Sequence, residues 1–157
     1  MREVVPHERI EKRIYEIRGK KVMLDADLAE LYAVQTRALN QAVARNNERF
    51  PVDFVFQLTE QEAKDLRSQS VTSNWGGRRY LPYAFTEHGI LMLSNVLKSQ
   101  RAILVSVQII RIFVRLRELA QGHHELIARI EKIEKRQDLE SREVWKAVRL
   151  LQATIMK

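Results

Sequence analysis

Gln35, Thr36, Arg37, Asn40, Gln41, Arg45 and Arg49 fall within fifteen positions of the chain, with Glu48 the one acidic residue among them. These side chains present flat, paired hydrogen-bonding groups. A guanidinium matches the two acceptors on the major-groove edge of guanine. The carboxamide of Asn or Gln matches the donor–acceptor edge of adenine. Arg45 and Arg49, together with Asn46 and Asn47, suit phosphate oxygens, which fix register without reading sequence. The chemistry is recognition of duplex DNA, provided a helix holds residues 35–41 outward with its N-terminal half leading.

A second candidate lies at Arg67 to Thr86. It carries Arg67, Arg78 and Arg79 with Trp75, Tyr80 and Tyr83 interleaved and no acidic residue. A Gly76-Gly77 turn between strands could lay Arg78 and Arg79 along a phosphate backbone as a wing. A plain β-hairpin with aromatic core packing accounts for the same residues equally well. The stretch Lys98–Arg117 has five basic residues and no acidic one. There a solvated stripe on a core helix is the better account.

Catalytic and metal chemistry find little footing. The four histidines are His7, His88, His123 and His124, none at metal-ligand spacing with a second His or carboxylate. No Gly-rich phosphate loop and no nucleophile elbow is present. Glu60 and Glu62 fit helix capping better than acid–base work. The chain is expected not to be an enzyme and to need no cofactor and no metal.

The elements that must position these residues follow from periodicity. Residues 8–24 read as a short hairpin: 13–18 alternate apolar and polar, Gly19-Lys20 supplies a turn, and Val22-Met23-Leu24 gives the second strand. Asp25 then stands at an N-cap position before Ala26–Tyr32, and Thr36 caps a second helix, Arg37–Asn46. Two short helices joined by Ala33-Val34-Gln35 have helix-turn-helix spacing. Leu28, Leu31 and Tyr32 supply the buried face of the first helix, and Leu39, Ala42 and Val43 that of the second. Ala29 is small where the helices must approach closely, and Val34 is an apolar plug. Gln35, Thr36, Arg37, Asn40 and Gln41 are left facing outward. Ala33 stands where a left-handed glycine would be easiest.

Downstream, Phe50-Pro51 breaks the helix and Asp53–Leu58 reads as a strand. Thr59-Glu60-Gln61-Glu62 has capping-box spacing for a helix from Glu60 to about Ser68. Residues 70–74 read as loop, 79–85 as strand, and Thr86 as the cap of a helix through Val96. Residues 99–122 are helical and strongly apolar. From Leu119, steps of four and three visit His123, Leu126, Ile130, Ile133, Gln137, Glu140, Val144, Ala147, Leu151 and Thr154, and seven of these eleven positions are apolar. That is a coiled-coil seam, weakened at Gln137 and Glu140. Either one helix runs through, or it breaks near Gln137-Asp138 and folds back.

Composition is compatible with this picture. The 157 residues carry 27 Lys+Arg against 20 Asp+Glu, a net charge of +7, of which residues 119–157 hold +2. A basic surplus favours a polyanionic partner. There is no cysteine, hence no disulfide or thiolate site. The N-terminus lacks a signal-peptide core, and apolar runs such as Ile103–Val107 are too short to span a membrane. The expectation is a cytoplasmic protein with no membrane partner.

The blocks, taken in order, resemble a known family. They are Ile17-Arg18-Gly19-Lys20-Lys21-Val22-Met23-Leu24-Asp25, Asp27-Leu28-Ala29-Glu30-Leu31-Tyr32, Leu39-Asn40-Gln41-Ala42-Val43 with Arg45-Asn46, and Arg49-Phe50-Pro51. Asp53-Phe54, Phe56-Gln57-Leu58-Thr59, Leu66-Arg67-Ser68-Gln69, Pro82-Tyr83-Ala84-Phe85-Thr86-Glu87-His88-Gly89 and Leu93-Ser94-Asn95-Val96-Leu97 follow. Over residues 8–118 the chain resembles the KilA-N DNA-binding domain in its phage-related N-terminal-domain branch, whose relatives include phage antirepressors and Bro-type proteins. Ala33 stands where Gly is expected, and His88 where relatives often have Gln. The resemblance implies DNA binding and an α+β fold; it does not say which residues touch DNA.

The expectation is therefore an α+β domain at 8–118 with short strands and a helix-turn-helix-like unit, then a helical coiled-coil tail at 119–157 that makes a homodimer. The expected function is binding of duplex DNA as a phage- or prophage-type transcriptional regulator. The DNA-contacting set is Gln35, Thr36, Arg37, Asn40, Gln41, Arg45, Arg49, Arg78 and Arg79. The second reading is an antirepressor-like module that captures another regulatory protein through the tail.

Overall fold

A computed structural model describes residues 4–69 and 80–155. The candidate turn at Gly76-Gly77 and the residues Trp75, Arg78 and Arg79 lie outside the described residues, as does the expected loop at 70–74. The chain divides into two units, Met1–Val114 and Arg115–Lys157.

The first unit opens with a helix, α1 (His7–Glu11), where the sequence suggested part of a hairpin. Ile10 is its one buried residue, so a single turn suffices to pin it. The hairpin is shorter than expected: β1 (Tyr15–Ile17) and β2 (Lys20–Leu24), in the register Tyr15↔Val22 and Ile17↔Lys20. Its turn is Arg18-Gly19 rather than Gly19-Lys20. Both residues have positive φ, 55° and 73°, which is the two-residue turn whose twist matches the strands.

Helix α2 (Asp25–Tyr32) follows at once, then α3 (Thr36–Arg45), a 3-10 turn at Asn47–Arg49, β3 (Val55–Gln57), α4 (Glu60–Gln69), β4 (Tyr83–Thr86), α5 (Glu87–Leu97) and α6 (Gln100–Ile155). The strands form one antiparallel sheet in the order β1-β2-β4-β3. Both later strands are shorter than the expected 53–58 and 79–85. The fold is α+β with a long C-terminal helix.

The sheet is covered on both faces. Leu24 pairs with Ala84, and Phe56 pairs with Ala84 from the other side. These residues share one face with Ile17 and Val22, and Ala63 and Leu66 of α4 close over them. Alternation sends Met23 and Phe85 to the opposite face, where both are fully buried. Phe50 meets Phe85 edge to face at 6.3 Å. Burial of Leu28, Leu31 and Tyr32 on α2, Ile90 and Leu93 on α5 and Ala102, Val105 and Ile109 on α6 builds the rest of the core.

Caps fix where the helices start. Thr59 and Glu62 form the expected reciprocal box: Glu62 N–H donates to Thr59 Oγ1 at 3.1 Å, and Thr59 N–H to Glu62 Oε1 at 2.9 Å. Thr86 Oγ1 accepts from Gly89 N–H at 3.4 Å, capping α5 as expected. Asp25 and Thr36 are not N-caps. Leu24 and Gln35 hold those positions in extended conformation without a side-chain hydrogen bond. Asp25 is buried inside the first turn, where its carboxylate has other work.

In the second unit the helix runs through Gln137-Asp138 without a break or fold-back. From residue 117 to 154 every side chain is exposed except Val148, which is half-buried. No helix among the described residues is long and apolar enough to cross a membrane.

Candidate nucleic-acid interface

The two short helices are joined by the tight turn that the spacing required. Ala33 takes the left-handed conformation, φ 58° and ψ 43°. Val34 N–H reaches Ala29 O at 2.9 Å and Ala33 N–H reaches Glu30 O at 3.1 Å. This is the Schellman closure, normally given to glycine. Alanine adopts it at a cost of about 1 kcal/mol. Arg101 Nε, from α6, donates to Leu31 O at 2.9 Å and satisfies another carbonyl at the end of α2. Tyr32 OH and Ser106 Oγ, 2.7 Å apart and both buried, tie α2 to α6 again. Burial pushes the Tyr32 phenol well above its usual range.

Onto this platform α3 is laid by little of its own surface. Leu39 alone is fully buried, with Asn40, Ala42 and Val43 half-buried. Gln35 leads into the helix, exposed. Arg37, Ala38, Gln41, Ala44 and Arg45 are exposed along it. Arg37, Gln41 and Arg45 recur every four residues and so share one face. Ala38 and Ala44 add no bulk there, and no residue of α3 is acidic. Thr36 is half-buried, and Arg49 is exposed in the 3-10 turn beyond.

Asn40 departs from the expected outward set. Its amide donates to Asp25 Oδ2 at 2.9 Å and to Tyr80 OH at 3.5 Å. Asp25 is fully buried and also accepts Ala26 N–H at 2.8 Å. A buried carboxylate is costly unless donors reach it, and Asn40 is one of those donors. Asn40 thus fastens the start of α2 to the middle of α3. Fifteen residues separate the pair, so no local pattern in the sequence announces it.

A cleft of about 560 Å³ opens beside the C-terminal half of α3. Val43, Ala44, Phe50, Phe56 and Tyr83 give it an apolar wall. Arg18 lies at this cleft but is already engaged. It pairs with both Glu62 oxygens at 2.9 Å and stacks over Phe56 at 4.2 Å. The hydrogen bond from Arg18, helped by Thr59 N–H, holds the Glu62 carboxyl down at about 2. Among the described residues lining it, the cleft therefore offers no free cation for an anionic substrate. Among the described residues no group of three His, Asp or Glu side chains could hold a metal.

Of the nine site residues expected from the sequence, the structure places Gln35, Arg37, Gln41, Arg45 and Arg49 at the surface, Thr36 half-exposed, and Asn40 turned inward. Arg78 and Arg79 lie outside the described residues. Sequence reasoning missed the roles of Asp25, Arg18 and Arg101, which act through partners far along the chain.

No curated protein and no solved structure matches this chain. The family model described as the ORF6N domain matches residues 12–96, taking in the sheet and α2 through nearly all of α5. That match spans more than half of the sequence, and the chain belongs to the ORF6N domain family, a phage-related N-terminal domain family.

Proposed function

We propose that this protein is a dimeric duplex-DNA-binding regulator of phage or prophage type, in which α3 enters the major groove. The observation that carries the reading is the acid-free outer face of α3, held by a Schellman turn on a buried platform with Arg37, Gln41 and Arg45 in line. A helix so shallowly seated leaves most of its circumference for a groove. The net charge of +7 and membership of a phage-related family support the same reading, as does the resemblance of its blocks to the KilA-N domain. The set proposed to touch DNA is Gln35, Thr36, Arg37, Gln41, Arg45 and Arg49, with Asn40 as the residue that positions the helix. The exposed apolar seam from Leu119 to Leu151 is proposed to join two copies.

Fluorescence anisotropy of the full chain on labelled duplex at two salt concentrations tests it. Affinity should fall steeply with salt, with a slope of about −0.9 per phosphate neutralised. Absence of duplex binding at low salt would sink the proposal. It would leave the second reading, in which the same exposed seam captures another regulator.

A further inference from the structure

The spacing of the seam on the C-terminal helix lets two copies pair in either direction, and the residues that then meet decide between them. Its positions, from His123 to Thr154, are separated by alternating steps of three and four. That spacing is unchanged when the segment is read backwards about the midpoint between Asp138 and Leu139. A second copy running in the opposite direction therefore places every seam residue from His123 to Thr154 against a seam residue, as a parallel copy also would, with Leu119 beyond the matched stretch.

We propose that the partner of this surface is a second copy of the chain, paired antiparallel and centred between Asp138 and Leu139. The inference rests on the dimeric reading above and adds its direction and register. Ile133 then meets the partner's Val144, Ile130 the partner's Ala147, and Leu126 the partner's Leu151. All except Ala147 are large and well exposed in the single chain, Leu126 at 56% and Leu151 at 62%. The two polar positions that interrupt the seam meet each other. Gln137 lies against the partner's Glu140, and its amide can donate to that carboxylate, twice in the symmetric pair. Glu140 is also partly neutralised within its own helix, where Arg136 Nε lies 3.4 Å from its Oε1.

The flanks agree. Arg136 and Glu143 border the seam on one side, each one residue before a seam position. In the antiparallel arrangement Arg136 faces the partner's Glu143, again twice. On the other side Ile127 faces the partner's Val148, which explains why both flanking positions are apolar. Leu139 and Trp145 lie off the seam and are not used.

The competing arrangements are worse for stated reasons. A parallel pair sets Glu140 against the partner's Glu140, and like charges facing each other in a seam repel. Sliding one antiparallel helix past the other by one heptad either way sets Glu140 against Ile130 or Val144, a carboxylate in an apolar layer without the Gln137 amide to donate to it. About four and a half heptads are matched in the proposed register, enough for a stable seam. The N-terminal units then join the paired helices at opposite ends.

Because the chain contains no cysteine, single cysteines report the pairing cleanly. Full-length Leu126→Cys and Leu151→Cys proteins are oxidised separately and as a refolded mixture, with sedimentation equilibrium on the wild type. The expected result is a dimer in which disulfide-linked species form in the mixture and not in either variant alone. Self-linking of each variant would mean a parallel pair and overturn the inference while leaving the dimer standing. A wild-type monomer would overturn both. A dimer that links in none of the three samples pairs elsewhere and also overturns it. Charge reversal gives a readout that keeps the apolar seam intact. Glu143→Arg or Arg136→Glu alone should weaken dimerisation about tenfold, and the double reversal should restore it. No rescue by the double reversal would argue against this register.

Discussion

Ala33 holds a backbone conformation that costs an L-residue about 1 kcal/mol, at an exposed site where a missing methyl removes no core packing. Ala33→Gly should therefore raise the urea midpoint, by about 0.5–1 kcal/mol in unfolding free energy, and leave DNA affinity unchanged. A loss of stability would mean that the methyl packs in a way its exposure denies. Glu62 makes a pH-dependent prediction. Its folded value, about 2, lies below the ordinary 4.5 because Arg18 and Thr59 donate to the ionised form. Its contribution is thus present above about pH 4.5 and is lost as pH falls toward 2. Glu62→Gln should destabilise the protein at pH 7, and the gap to wild type should narrow by pH 3. Denaturation curves at both values check this, and an equal gap would assign the residue's effect to packing. At this scale the capping box was legible because its partners stand three apart. The Arg18–Glu62 pair was not, because only the fold brings together residues forty-four apart.

Helix α3 divides into residues that hold it and residues it offers. Arg37→Ala should weaken binding to a preferred site by about 1–3 kcal/mol without moving Tm. Asn40→Ala should lower Tm and affinity together, because it strips a donor from buried Asp25, a loss worth about 1–3 kcal/mol. If Asn40→Ala kept wild-type Tm while losing only affinity, Asn40 would be a contact residue after all. Gly89 at the start of α5 is as constrained, since a Cβ there would lie 2.4 Å from Phe54 O. That carbonyl already accepts Thr86 N–H and Thr86 Oγ1–H, so it cannot easily retreat. Helices α2 to α6 were readable from the sequence because a 3.6-residue period runs for two turns or more within each. The strands were overextended because three-residue strands carry too little period to mark their ends; their limits come from pairing with β4. Helix α1 was hidden for a similar reason: five residues with one buried position, Ile10, resemble a hairpin arm as much as a helix.

At the scale of the whole molecule, the proposed dimer would make the tail act through effective concentration. A lone α3 offers few base contacts and a handful of cations, so one unit alone should bind weakly and with little selectivity. In the proposed dimer, two units tied by the helices from Leu119 onward would convert the second docking into an intramolecular step. Such coupling raises affinity by about 10²–10⁴-fold when both sites can be reached, and by nothing when they cannot. Residues 1–118 should therefore bind single and paired half-sites alike, with a shallow salt dependence. The full chain should prefer paired half-sites arranged as an inverted repeat, set one or more helical turns apart, about 34 Å or a multiple, and its salt slope should be about twice as steep. Anisotropy titrations of both lengths against duplexes that differ only in half-site number and spacing measure this directly. A truncated protein that matches the full chain in affinity, slope and spacing preference would show that the tail plays no part in DNA binding. The exposed seam would then be left to a partner other than DNA-bound protein.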